Sequence, residues 1–103
     1  MDERVKPADC ATMAEVRAGV DALDERIVAL IGERFRYMDA AARIKPDREA
    51  VRDEWRKADV LAKVARHAEA AGVPADVAAE LYERLIEASI AYEFERFDAT
   101  RKP

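Results

Sequence analysis

From Met13 to about Ile44 no proline interrupts the chain, and apolar residues recur in alternating steps of three and four. They stand at Met13, Val16, Val20, Leu23, Ile27, Leu30, Met38 and Ala41. This is the pattern of one amphipathic helix whose apolar seam is close to a heptad. Thr12 is placed to cap its start, with Glu15 three residues later to complete a capping box. Pro46 biases Lys45 away from helical geometry and ends the element. At 1.5 Å per residue such a helix is about 48 Å long, whereas a compact domain of this chain length has a radius of gyration of about 13 Å. The rest of the chain is too short to cover the whole seam. Helix length therefore predicts a partner, and a second copy is the simplest one.

Asp47 to Ala50 reads as a short connection. A second helix is expected from about Val51 to Ala71, with Trp55, Leu61, Val64 and Ala68 on one side. Gly72 suits the position after its last turn, and Pro74 the first turn of a third helix. That helix carries Val77, Leu81, Leu85, Ile86, Ile90 and Phe97 and runs to about Thr100. The expectation is an all-α fold in one domain, residues 1–103, with helices at about 12–44, 51–71 and 74–100, intertwined as a homodimer. Residues 1–11 are polar and predicted to be flexible. A composition of 50% hydrophobic and 39% charged residues, with 3 Gly and 4 Pro, agrees with long helices.

The formal charge is −4 and no basic run occurs, which argues against nucleic-acid or acidic-membrane partners. No apolar run approaches a membrane span, and the first residues lack the basic-then-apolar pattern of an export signal. The single cysteine, Cys10, has no partner for an internal disulfide, and a cytoplasmic location is expected. A nucleophilic role for Cys10 needs a histidine, and the only one is His67, assigned to a different helix. His67 is expected on the solvated side of the second helix. No metal-ligand cluster is evident, so neither metal nor cofactor is expected.

Several polar residues occupy positions where the pattern calls for apolar ones. Between Leu30 and Met38 the seam of the first helix should be apolar at residue 34, which is Arg34. Such an arginine needs an anion, either an acid such as Asp24 or Asp39 or a bound ligand. Arg17 flanks the same face. Lys45, eleven residues beyond Arg34, points the same way after about three turns, although a cation there also complements a helix C-terminus. Arg17 and Arg34 lie about 25 Å apart along one helix, too far to grip one small molecule. An antiparallel pair of chains would bring Arg17 of one opposite Arg34 and Lys45 of the other. In the third helix the line Tyr82, Ile86, Ser89, Glu93, Phe97 is apolar at its ends and polar in the middle. Ser89 and Glu93 there suggest a ligand, a partner arginine, or a proton held on the carboxyl.

Taken in order, these residues resemble the all-α chorismate mutase family, and within it the small branch that includes isochorismate pyruvate lyase and 4-amino-4-deoxychorismate mutase. The likeness runs from Met13-Ala14-Glu15-Val16-Arg17 through Val20-Asp21, Asp24, Ile27-Val28-Ala29-Leu30-Ile31 and Arg34. It continues at Lys45, at Asp53-Glu54-Trp55-Arg56 (the family's D-x-x-R), and at Ile86-Glu87-Ala88-Ser89 with Glu93. The resemblance implies a small dicarboxylate substrate bound in sites shared between two chains. It assigns Arg17 to the neighbouring subunit's site, and Arg34 and Lys45 to the enolpyruvyl carboxylate and ether oxygen. Asp53 matches the position facing the ring hydroxyl, Arg56 the one holding the ring carboxylate, and Ser89 and Glu93 positions lining the pocket. Glu93 replaces the more usual glutamine, and Lys57 follows the D-x-x-R arginine where the family often has glutamate. The implied reaction is chorismate to prephenate, with Lys45, Glu93 and Arg34 carrying the catalysis. Isochorismate pyruvate lyase, a mutase of the 4-amino analogue, and a non-catalytic helical dimerisation module are the alternatives.

Overall fold

The computed structural model describes residues 4–102. Among them are three α-helices, α1 (Met13–Ile44), α2 (Glu54–Ala71) and α3 (Ala75–Thr100), with 3-10 turns at Pro7–Asp9 and Arg48–Ala50 and no strand. No described helix is long and apolar enough to cross a membrane. The chain divides into two units, Met1–Arg36 and Tyr37–Pro103.

In the N-terminal unit the expected capping box is present. Thr12 Oγ1 accepts from the Glu15 amide at 3.2 Å, and Glu15 Oε1 accepts from the Thr12 amide at 3.0 Å and the Ala11 amide at 2.9 Å. Those amides hold the Glu15 carboxyl below its ordinary range, the Ala11 bond foremost. Residues 4–11, expected to be flexible, include an ordered turn. Asp9 N–H donates to the Lys6 carbonyl at 2.9 Å, and Pro7 opens the turn with its fixed φ. Residues 1–3 lie outside the described residues. Along α1 the apolar seam is exposed in the single chain, with Val20 and Ile27 at 50% and Leu30 at 62%.

The C-terminal unit joins the last turns of α1 to the α2–α3 hairpin. Pro46 stops α1, and Asp47 caps the following 3-10 turn by accepting from the Ala50 amide at 3.0 Å. The second helix begins at Glu54 rather than Val51, because Asp53 accepts from the Arg56 amide at 3.0 Å and takes the N-cap position. Gly72 ends α2 with φ 75°, the left-handed conformation that glycine adopts without a Cβ penalty. The Val73 amide then closes on the Ala68 carbonyl at 2.9 Å.

Two apolar clusters hold the unit together. Ala42, Val51 and Phe97 form one, with Ile90 and Phe94 against it. Val64, Ala68 and Ala78 form the other, with Val60 and Tyr82. Trp55, expected on the buried side of α2, is 75% exposed. It sits in the first turn after the Asp53 cap, two turns ahead of the first buried residue of α2, Val64. Near the end of α1, Tyr92 Oη donates to Asp39 at 2.7 Å and Arg96 pairs with the same carboxylate at 3.2 Å.

Phe97→Ala is expected to lower the unfolding free energy by about 3–5 kcal/mol through loss of its buried ring. Gly72→Ala meets no atom within 4 Å, so its expected cost is the backbone strain alone, about 1–2 kcal/mol. Urea unfolding of the two variants checks both values.

Candidate active site

On α3 the polar interruption read from the sequence is a buried stripe. Ile86, Ser89, Glu93 and Phe97 all face inward, and Ser89 at 3% and Glu93 at 4% exposure are the buried polar residues. Ser89 Oγ donates to the Leu85 carbonyl at 2.6 Å, the back-bond that lets a hydroxyl sit inside a helix. A carboxyl group in that setting needs a counter-charge, and Lys45 supplies it.

The Lys45 ammonium lies 2.6 Å from Glu93 Oε2 and donates to the Val51 carbonyl at 3.3 Å. The two therefore form an ion pair across the edge of the stripe. With side chains 27% and 5% exposed, the pair is open to solvent from the lysine side only. Lys45 thus presents a cation at the edge of a buried stripe, with Glu93 and the Val51 carbonyl fixing its position. An ammonium group has three donors.

The other residues singled out from the sequence are placed differently. Asp53 is exposed and occupied as the α2 cap. Arg56 is exposed and pairs with Asp59 at 2.7 Å. Lys63 and Arg56 together lower the Asp59 carboxyl, Lys63 having the larger effect. Arg17 and Arg34 belong to the N-terminal unit, Arg17 exposed and Arg34 half-buried. Of the seven residues, Lys45, Ser89 and Glu93 are the three gathered within the C-terminal unit around one buried stripe.

A neighbouring ion-pair network escaped the sequence reading. Lys57 bonds Glu83 at 2.7 Å and Glu87 at 2.9 Å, and Arg52 bonds Glu87 at 2.7 Å and Glu54 at 2.9 Å. Lys57, the residue that follows the D-x-x-R arginine, is thereby matched by two acids of α3. Their bonds raise its ammonium pKa, Glu83 foremost. The α3 partners lie 26 to 35 residues away, so no local spacing announces them. His67 is exposed, as expected. Among the described residues no group of three or more His, Cys, Asp or Glu is arranged to hold a metal ion.

The family model for chorismate mutase type II matches residues 16–94. The chain belongs to the chorismate mutase type II family. It is 34% identical over 95 residues to the isochorismate pyruvate lyase of Pseudomonas aeruginosa (strain PAO1), an alignment covering 92% of this chain and 94% of that one. Lys45, Ser89 and Glu93 all lie within the matched residues. The match spans α1 from Val16, all of α2, and α3 as far as Phe94.

The ion-pair network makes the stability of the hairpin depend on pH. Arg52, then Lys57, hold the Glu87 carboxyl at about 2, below its ordinary 4.5. A carboxyl depressed in the folded state stabilises it above its unfolded pKa, and that stability is lost as pH falls through the folded value. The melting-temperature gap between the wild type and Glu87→Gln is therefore expected to be full near neutral pH. It should close as pH falls from 4.5 towards about 2. A gap that persists in acid would assign the effect to packing instead.

Proposed function

We propose that the protein rearranges chorismate to prephenate, in sites that two copies of the chain build together. The observation that carries this reading is the Lys45 ammonium held against buried Glu93 beside Ser89, a cation fixed at the edge of a helical core. The reaction is a concerted [3,3] shift in which one C–O bond breaks as one C–C bond forms. It calls for no nucleophile. The protein must hold a flexible dianion folded in its reactive conformer and stabilise negative charge growing on the departing ether oxygen.

In this reading Lys45 meets that oxygen. One of its three N–H donors is turned to Val51, Glu93 holds the ammonium from a second side, and a donor remains for the substrate. A Lys45–Glu93 pair with both groups ionised carries no net charge, so attraction of the dianion falls to arginines. Arg34 of the same chain and Arg17 of a second copy suit this role, since a guanidinium fork matches a carboxylate with two bonds. The exposed seam of α1 supports the second copy, as does the roughly 25 Å separating Arg17 from Arg34 along the helix. Asp53 and Arg56 are assigned to the ring hydroxyl and ring carboxylate. The α2 cap uses Asp53 Oδ1 and the Asp59 pair uses Arg56 Nη1, and each side chain has a second oxygen or nitrogen to offer a substrate. Glu93 assists as a donor only when protonated.

The likeness to an isochorismate pyruvate lyase favours a second reading, elimination of pyruvate from isochorismate. It would use the same cation at the same ether oxygen. Incubating the purified protein with chorismate, isochorismate and the 4-amino analogue of chorismate separates the readings by product: prephenate, salicylate with pyruvate, or the amino analogue of prephenate.

Lys45→Ala is expected to lower kcat roughly a hundred- to a thousandfold on the true substrate, as loss of an oxyanion donor does. Mixing inactive Arg17→Ala chains with inactive Arg34→Ala chains should restore about a quarter of the wild-type sites, by random pairing of two-chain sites. No recovery in confirmed heterodimers would sink the shared site, and full activity in Lys45→Ala would sink the role of the cation.

A further inference from the structure

The last turn of α1 has a missing donor. In a continuing helix the Ala42 carbonyl would accept from the amide four residues on, but residue 46 is Pro46, which has none. Ala42 is wholly buried, so water cannot replace the lost bond, and an orphaned carbonyl there is costly. The Ala41 carbonyl is already served by the Lys45 amide at 2.9 Å.

Arg101, the residue that ends α3, supplies the donor from 59 positions away. Its Nη1 donates to the Ala42 carbonyl at 2.7 Å and its Nη2 to the Lys45 carbonyl at 2.7 Å. The guanidinium lies 3.9 Å over the ring of Phe97, which itself packs with Ala42 and Val51. Thr100 fixes the fork further, accepting from Nη1 at 3.0 Å while donating to the Phe97 carbonyl at 3.0 Å. A cation at this end also complements the helix dipole.

We propose that Arg101 is a positioning residue for Lys45, clamping the backbone from which the catalytic ammonium projects. This rests on the reading that Lys45 faces the ether oxygen of the substrate. Lys45 is then held at both ends, at its carbonyl by Arg101 and at its ammonium by Glu93 and the Val51 carbonyl. The two helices that carry the Lys45–Glu93 pair are tied together by the residue that ends one of them. A planar fork bridges both carbonyls in a fixed geometry, which the freely rotating ammonium of a lysine does not impose.

The test compares full-length wild type, Arg101→Ala, Arg101→Lys and the double variant Arg101→Ala with Pro46→Ala. Their kcat and KM are measured together with hydrogen exchange at the Lys45 amide. Arg101→Ala is expected to lose about ten- to a hundredfold in kcat while KM moves less than about threefold, the mark of misplaced chemistry rather than lost binding. The Lys45 amide should exchange faster, and Arg101→Lys should fall between. The added Pro46→Ala returns an N–H to the Ala42 carbonyl, so part of both losses should be recovered. Unchanged kcat in Arg101→Ala overturns the proposal, as does a loss that Pro46→Ala does not relieve. Unfolding of both Arg101 variants also overturns it, because a residue the fold requires is not one that tunes the site. If the wild type turns over none of the three substrates, the functional reading has failed. Exchange then decides the clamp alone, upheld if Arg101→Ala speeds it and Pro46→Ala reverses the effect, and overturned otherwise.

Discussion

An ammonium and a carboxylate 2.6 Å apart, one of them inside a helical core, must be held from several sides. Each desolvated charge costs several kcal/mol unless its partner stays in register. Much of the C-terminal unit meets that demand. Pro46 fixes where α1 ends, and so where Lys45 leaves the helix. The Arg48–Ala50 turn carries the chain round to Val51, whose side chain packs on Ala42 and Phe97 and whose carbonyl faces Lys45. Phe97 stands one turn beyond Glu93 on α3, so the packing that seats the ring also sets the carboxylate.

Much of this was legible because the rules behind it are local. Proline and glycine marked the ends of α1 and α2, the Thr12–Glu15 pair marked a start, and the polar break in the α3 stripe marked Ser89 and Glu93 before any partner was known. Other features depend on which helices meet and how they are rotated, and periodicity carries no such information. Trp55 fits the period of α2 but lies in a first turn that the core does not reach. Asp53 reads equally well as a helix cap and as part of a family motif, and in the structure it caps α2. The acids that answer Lys57, and the carbonyls that answer Arg101, lie on other elements far along the chain. A single sequence does not pair them.

The chain's place in the chorismate mutase family rests on an ordered set of modest signals rather than one distinctive motif. On the proposed rearrangement that is what should be seen, since a pericyclic reaction asks a protein to shape and charge a pocket and gives it no nucleophile to advertise.

The buried polar stripe of α3 has a consequence for how such a protein evolves. Ser89 and Glu93 occupy core positions that apolar side chains would fill at lower cost, because a matched buried ion pair is often no better than neutral for stability. Selection for thermal robustness alone would therefore replace the site before it replaced the surface. Laboratory evolution without an activity screen should drift towards sturdier, inert helical bundles. Polar residues kept in such a stripe call for an explanation other than folding stability.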